Sequence, residues 1–264
     1  MDFKKKKVLG KTGLMVSRIG LASGYGVPAN AVEKAFHEYG INYHFLSSPR
    51  KKGMETGLKN LAAKNRDNLV IAIQSYDHSG IFLNKSVNST LNALGIDYAD
   101  ILILGWHNSI PWKYTLSEAE KLKQSGKIRH IGMSGHKRTT FGKLAQDTDS
   151  PIDVFMARYN AVNTGAEEDI FPYLKSANKP GMTIYTATAW RKLLKPNQMP
   201  KDESSLSAAD CYRFVLSNPL VDVCLMGPSS EKEMDEGLIA IEKGPLTESE
   251  MIRIRKIGAY IHGK

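Results

Sequence analysis

Long apolar runs are missing from this sequence. None approaches the ~18 residues that a membrane-spanning helix needs, so a membrane partner is not expected. The opening, MDFKKKKVLGKTG, is basic but lacks the apolar core of about 7–15 residues that a secretory signal carries. Cysteine is scarce. Cys211 and Cys224 are too few for a disulfide framework and are not spaced as C-x-x-C. A reducing, cytoplasmic setting is the expectation. No His, Cys, Asp and Glu cluster has metal-ligand spacing, so no metal is expected. A G-x-S-x-G elbow is absent. So is a complete G-x-G-x-x-G: Gly24-Tyr25-Gly26 lacks the third glycine. There is no zinc spacing, basic heptad helix or strand of interleaved aromatic and basic residues, which argues against a nucleic-acid partner.

What is present is ordinary for a folded protein: 264 residues, 42% hydrophobic and 24% charged. At about 150 residues per domain, that is one large domain or two small ones. No linker-like stretch divides the chain, so the reading is one domain over residues 1–264. The formal charge of +9 is uneven, with 13 basic and 4 acidic side chains in residues 1–66 and a balance thereafter. Residues 4–7 and 50–52 dominate the excess. Such a patch can attract an anionic ligand. A solvated terminal run is the plainer reading.

Apolar runs alternate with helical periodicity along the whole length. Strands are expected at 18–22, 42–46, 69–75, 100–104, 128–134, 152–156, 182–187 and 221–226. Helices are expected at 28–39, 53–64, 84–94, 117–124, 139–146, 167–177, 207–216, 231–243 and 248–261. Strands apolar throughout imply a parallel sheet covered on both faces. Eight strand–helix units in about 250 residues point to the α/β class and a (β/α)8 TIM barrel. Residues 6–9 and 14–17 read as an N-terminal β-hairpin capping the barrel floor, and 248–261 as an extra C-terminal helix. The stretch 195–207 reads as a long loop.

Barrel sites lie at the C-terminal ends of the strands. Those positions here are polar and aromatic and hold no acidic side chain: Ser23, then 45–50, 74–76, 105–108, 134–136, 158–160, 186–190 and 227–230. With no close pair of carboxylates, glycoside hydrolysis is disfavoured.

The segments LGKTGLMVSRIGLASG (9–24), GINY (40–43), LGIDYADILILGW (94–106), GKIRHIGMSGH (126–136), RYNAVN (158–163) and VDVCLMGPSSEKEMDEGL (221–238) follow one another along the chain. In order and spacing they resemble the aldo-keto reductases. The resemblance covers almost the whole chain. It implies a (β/α)8 barrel, NADP or NAD, and carbonyl reduction by hydride transfer. It also implies a departure. Where the family has its catalytic Asp, Tyr, Lys and His, an ungapped alignment gives Phe45, Arg50, Gln74 and Gly105. Arg50 cannot donate a proton near neutral pH, Gln74 is uncharged, and Gly105 has no side chain. Cofactor positions are mixed. Ser134, Tyr185, Gly227 and Ser229 match the family, Tyr185 as the aromatic stacked on nicotinamide and the last two on the phosphate-side loop. Gly135 and Met156 replace carboxamide ligands, while Ser230 and Glu233 replace basic residues near the 2′-phosphate. A bacterial aldo-keto reductase-like group resembles the chain in the same departure, through TATAW (186–190), DCYRFVLSNP (210–219) and GPL (244–246).

The candidate catalytic residues are therefore His107, Tyr76, Arg50 and Gln74, with His107, Tyr76 or water as proton donor. Arg158, Asn160, His136 and Trp106 are candidates for holding a small-molecule, anionic substrate. Arg50, Arg138 and Arg158 could clamp an anion. The plainer reading of each is an ion pair, Arg158 with Glu167 or Glu168. Trp106, Trp112 and Trp190 could line an apolar pocket. Phe45 or Tyr43 lines the mouth, with His44 turned away. Met15, Met133, Met156 and Met226 read as core filling, and Arg213 as a surface residue on a core helix. Two functions follow: a divergent NAD(P)-dependent oxidoreductase, or a barrel outside redox chemistry that binds an anionic small molecule. A monomer or small homo-oligomer is expected.

Overall fold

In the computed structural model, which describes residues 1–47, 50–176 and 178–263, the apolar runs form strands that close on one another. A short antiparallel pair, β1 (Lys7–Val8) and β2 (Met15–Val16), comes first. The barrel strands are β3 (Ile19–Ala22), β4 (Tyr43–Leu46), β5 (Val70–Ser75), β6 (Ala99–Leu104), β7 (Ile128–Ser134), β8 (Val154–Arg158), β9 (Gly181–Tyr185) and β10 (Val223–Met226). All pair in parallel, in chain order, and β10 closes on β3. Around them lie α1 (Ala29–Tyr39), α2 (Lys52–Asn65), α3 (Gly80–Leu94), α4 (Lys113–Gln124), α5 (Arg138–Gln146), α6 (Ala166–Asp169), α7 (Ala208–Leu216), α8 (Glu231–Lys243) and α9 (Glu248–His262). This is the expected (β/α)8 barrel, with its hairpin and its extra C-terminal helix. No described helix is long and apolar enough to cross a membrane.

Alternation along each strand makes two cores. Tyr43, Phe45, Val70, Ala72, Ile101, Ile103, Val154, Met156, Val223 and Leu225 fill the barrel interior, and Leu9 and Val16 of the hairpin plug it from below. The opposite strand faces pack beneath the helices.

Charge organises the floor. At the start of alternate strands, a short polar side chain accepts a backbone N–H from the preceding strand's segment. Asn42 takes Ser17 N (2.8 Å) and Asp100 takes Ile71 N (2.8 Å). Asp153 takes Ile131 N (3.2 Å) and Asp222 takes Met182 N (2.8 Å). These aspartates are buried or nearly so, which is costly without counter-ions. The N-terminal basic excess supplies several of them. Lys7 lies 2.8 Å from Asp222, and Arg66 2.9 Å from Asp100. The charge read as a solvated run is thus partly structural.

Other expectations need correction. The helix expected at 167–177 stops at Asp169, because Pro172 has no N–H to continue it. The chain turns through a 3-10 segment, Phe171–Tyr173, and residue 177 lies outside the described residues. The strand expected at 152–156 runs instead to Arg158. Met15 is exposed on the hairpin's outer face and fills no core. Arg213 is buried, with both terminal nitrogens on Glu250 at 2.7 and 2.8 Å.

Candidate active site

The C-terminal ends of the strands open into a cleft of about 660 Å³. Its floor is the top layer of inward side chains, Phe45, Gln74, Ser134, Met156, Tyr185 and Leu225. From there it runs over Gly227 and Pro228 to Glu233, Glu236 and Lys243 on α8, with Tyr212 of α7 alongside.

The strand ends at the mouth are fitted to one another. Gln74 Nε2 donates to Ser134 Oγ at 2.9 Å. The space above Gly105 is taken: a Cβ there would lie 2.8 Å from the Tyr76 ring and 3.0 Å from Gln74 Nε2. Gly135 admits no side chain either, since a Cβ would overlap the His107 carbonyl. His107 N donates to Ser134 O at 2.8 Å, pressing the loops after β6 and β7 together.

Trp106 has φ of 61°, a left-handed conformation that costs a non-glycine residue roughly 1 kcal/mol or more. The indole stands over the cleft, and its Nε1–H donates to His136 Nε2 at 2.8 Å. With Nε2 an acceptor, the neutral imidazole carries its proton on Nδ1. Nδ1 faces the Tyr185 hydroxyl at 3.3 Å and donates to it. The Tyr185 hydrogen is left for the Gly135 carbonyl, at a long 3.5 Å, or for a ligand. Burial raises the Tyr185 pKa above the ordinary phenol value, and the Arg158 guanidinium opposes that rise. Tyr76 stands edge-on to Trp106 at 5.9 Å, and burial raises its pKa too.

Of the residues singled out from the sequence, Gln74, Tyr76, Trp106, Ser134, His136, Tyr185 and Gly227 line this cleft. Others do not. His107 is buried, stacks on His78 at 4.1 Å between ring centroids, and leaves Nε2 without a partner. Burial, and then His78, lower its pKa to about 4. Arg50 is exposed, outside the lining residues. Asn160 is fully buried and structural: Nδ2 donates to Thr186 O at 2.7 Å, and Oδ1 accepts Val162 N and Asn163 N. Arg138 pairs with Asp169 at 2.8 Å, so the three arginines do not assemble into a clamp. Arg158 ends β8 beside its register partner Tyr185 and lies 5.5 Å from the centre of the Trp190 ring. It makes no ion pair among the described residues; Glu167, expected beside it, holds Arg255 and the Tyr159 hydroxyl.

Among the described residues that line the cleft, the carboxylates, Glu233 and Glu236, lie at its far end. Ser230 caps α8 by accepting Glu233 N at 3.2 Å. Glu233 in turn accepts Ser229 N and Ser229 Oγ, each at 2.8 Å, and both contacts of Arg191 Nη2 at 3.0 and 3.1 Å. Ser229 does not line the cleft, and its donors are occupied by a carboxylate of the same chain. Burial pushes the Glu233 pKa up, but Ser229 and Arg191 outweigh it and hold the group below the usual carboxylate range. Arg191 also lies 5.1 Å from the centre of the Tyr25 ring. Ala189, Trp190 and Arg191 are all left-handed, with φ of 49°, 53° and 66°. Sequence reasoning missed this strap. The S-S-x-x-E spacing at 229–233 signals the helix cap, but nothing in TATAWR signals three consecutive left-handed residues.

The model for the "Aldo/keto reductase family" matches residues 29–204. The chain belongs to the aldo/keto reductase family. It is 28% identical over 284 aligned positions to the L-galactose dehydrogenase of Arabidopsis thaliana, covering 89% of this chain and 87% of that one. It is 28% identical to the NADH-specific methylglyoxal reductase of Escherichia coli, over 34% of this chain and 28% of that one. The holo form of the aldo-keto reductase AKR11C1 from Bacillus halodurans superposes with a TM-score of 0.78, at 23% identity and 96% coverage of both chains. An aldo-keto reductase from Klebsiella pneumoniae in complex with NADPH gives 0.77 at 21% identity, covering 97% and 95%. At these identities the structural likeness establishes the fold.

Proposed function

We propose that this member of the oxidoreductase family is a nicotinamide-dependent enzyme of carbonyl or alcohol substrates, working without the family's usual Asp, Tyr, Lys and His. The observation that carries the reading is the continuity of the cleft from Gln74, Ser134 and Tyr185 to the N-terminus of α8. The residues present fit a dinucleotide. Gln74 and Ser134 offer amide and hydroxyl groups, Tyr185 a ring face, and Gly24 a stretch of wall where even a Cβ would meet nothing within 4 Å. A reduced nicotinamide bound here would supply hydride to a carbonyl carbon. Tyr185 and Met156 would hold it by their apolar surfaces, Gln74 and Ser134 would offer hydrogen bonds, and Trp106 and Trp190 would limit water.

With the adenosine end at α8, as the sequence resemblance implies, Glu233 and Glu236 face it. A carboxylate suits a ribose diol and repels an added 2′-phosphate, so NADH is bound at least as well as NADPH. The test is turnover followed by nicotinamide absorbance, with methylglyoxal and NADH or NADPH, and with L-galactose and the oxidised forms. Turnover of either probe supports the reading. Silence across these and a broad carbonyl panel, with both nucleotides, rejects it. Arg158, which makes no ion pair among the described residues, favours the second reading, a redox-inactive barrel for a small anion. That reading predicts thermal stabilisation by carboxylates that is lost in Arg158→Ala.

A further inference from the structure

We propose that the face around the starts of α3 and α4 docks on an anionic phospholipid surface, through exposed aromatic and aliphatic side chains flanked by cations. The inference is independent of the nicotinamide reading. Of the six most exposed large apolar side chains among the described residues, five lie on this face: Trp112, Ile81, Trp106, Phe82 and Tyr114, each 58–73% exposed. Ile110, half exposed, adds to them. Single exposed apolar residues are ordinary on a protein surface, whereas a contiguous patch rimmed by polar residues marks a contact with a partner or a membrane.

The fold brings these residues together. Trp106, Ile110 and Trp112 belong to the loop after β6, and Ile81, Phe82 and Tyr114 to the first turns of α3 and α4. The two helix starts are pressed against each other. Thr115 Oγ1 donates to the His78 carbonyl at 2.5 Å, and a Cβ on Gly80 would lie 2.8 Å from the Tyr114 ring. Tyr76 stands edge-on to Trp106 at 5.9 Å and carries the patch to the mouth of the cleft. All of these side chains sit at the end of the barrel where the strands finish, so a planar surface meets them together.

Charge selects the partner. Arg50, Lys85, Lys113 and Lys137 are exposed at this end of the barrel and make no ion pair among the described residues. Lys113 lies between Trp112 and Tyr114, and Lys85 one turn along α3 from Phe82. The neighbouring acids are fewer: Glu118 is paired with Lys121 at 3.3 Å, and Asp77 accepts Ser75 Oγ at 2.9 Å. Neither α3 nor α4 has a side-chain cap, so the positive ends of both helix dipoles add to the field. A second copy seated face to face would set these cations against their own images, which is repulsive. An anionic headgroup layer attracts them instead. Trp, Tyr and Lys suit such a layer, because their apolar bodies sink while their polar ends stay among the headgroups. The expectation of no membrane partner followed from the lack of a spanning run, and a surface contact needs none.

The test is co-sedimentation of the full-length protein with vesicles of phosphatidylcholine alone, and of phosphatidylcholine and phosphatidylserine in equal parts. Binding should favour the anionic vesicles by about tenfold or more and weaken as salt is raised. Phe82→Ser with Trp112→Ser should lower that binding by about tenfold or more, and Lys85→Gln with Lys113→Gln by about three- to tenfold. Ile252→Ser, which removes a comparably exposed apolar side chain from α9, should leave it unchanged. The substituted side chains are all exposed, so each variant should melt at the wild-type temperature. Absence of binding to the anionic vesicles at low salt overturns the proposal, and so does binding that survives the loss of Phe82 and Trp112. A dimer in light scattering that the same double variant breaks also overturns it, and assigns the face to a second copy of this chain.

Discussion

His44 and His107 are two imidazoles that fold in the neutral form. His44 is fully buried on β4, with Nδ1 on the Asn42 carbonyl at 3.2 Å and Nε2 without a partner. Burial lowers its pKa to about 4, as it does for His107, where His78 adds to the effect. In the unfolded chain both take a proton near pH 6.5. Between pH 6.5 and 4 the unfolded state therefore binds more protons, and stability falls as pH falls. The loss is on the order of 3 kcal/mol for His44 and less for His107. Urea unfolding at successive pH values should show this decline beginning above the carboxylate range, and His44→Leu should flatten it. A wild-type profile level from pH 6.5 to 5 would contradict the assignment. At this scale the sequence was partly legible. The outward turn of His44 followed from strand alternation beside Phe45, which does line the cleft. The fate of His107 did not, because it depends on where the loop after β5 brings His78. The burial of Arg213 was equally hidden, since it requires Glu250 of α9 to arrive from 37 positions away.

Among the elements, α8 and the strap before it control the far end of the cleft. Glu233 holds the donors of Ser229 and the guanidinium of Arg191 at once. An anionic ligand arriving at that helix N-terminus, where the backbone favours negative charge, competes with this carboxylate. Glu233→Gln should tighten NADPH binding by about three- to tenfold and weaken NADH binding, whose ribose diol loses its carboxylate partner. Unchanged affinity for both would mean that the phosphates bind elsewhere. The barrel strands and most helices were legible because each carries a period or a continuous apolar run. The helix expected at 167–177 failed at Pro172, a stop signal inside an otherwise helical pattern. The strap failed for a different reason: its conformation is set by Arg191 reaching Glu233 and Tyr25, a long-range arrangement with no local sequence code.

For the molecule as a whole, the uneven charge has a structural consequence. Lys7 comes from the hairpin and Lys179 from the segment before β9, and both reach Asp222, whose side chain is fully buried. Removing one member of such a group leaves buried charge uncompensated. Asp222→Asn should cost about 3–5 kcal/mol in denaturant unfolding, whereas Lys4→Ala, which breaks an exposed pair with Glu242, should change nothing measurable. Equal effects would show that the floor is not held by charge.

The same scale holds the central claim, that one continuous cleft serves a nicotinamide dinucleotide although the customary acid is replaced. Calorimetric titration of the wild-type protein with NADH and with NADPH tests it most directly. Micromolar binding is expected, with NADH at least as tight as NADPH. No heat with either nucleotide at millimolar concentration would contradict it, and would leave the family membership as a statement about the fold.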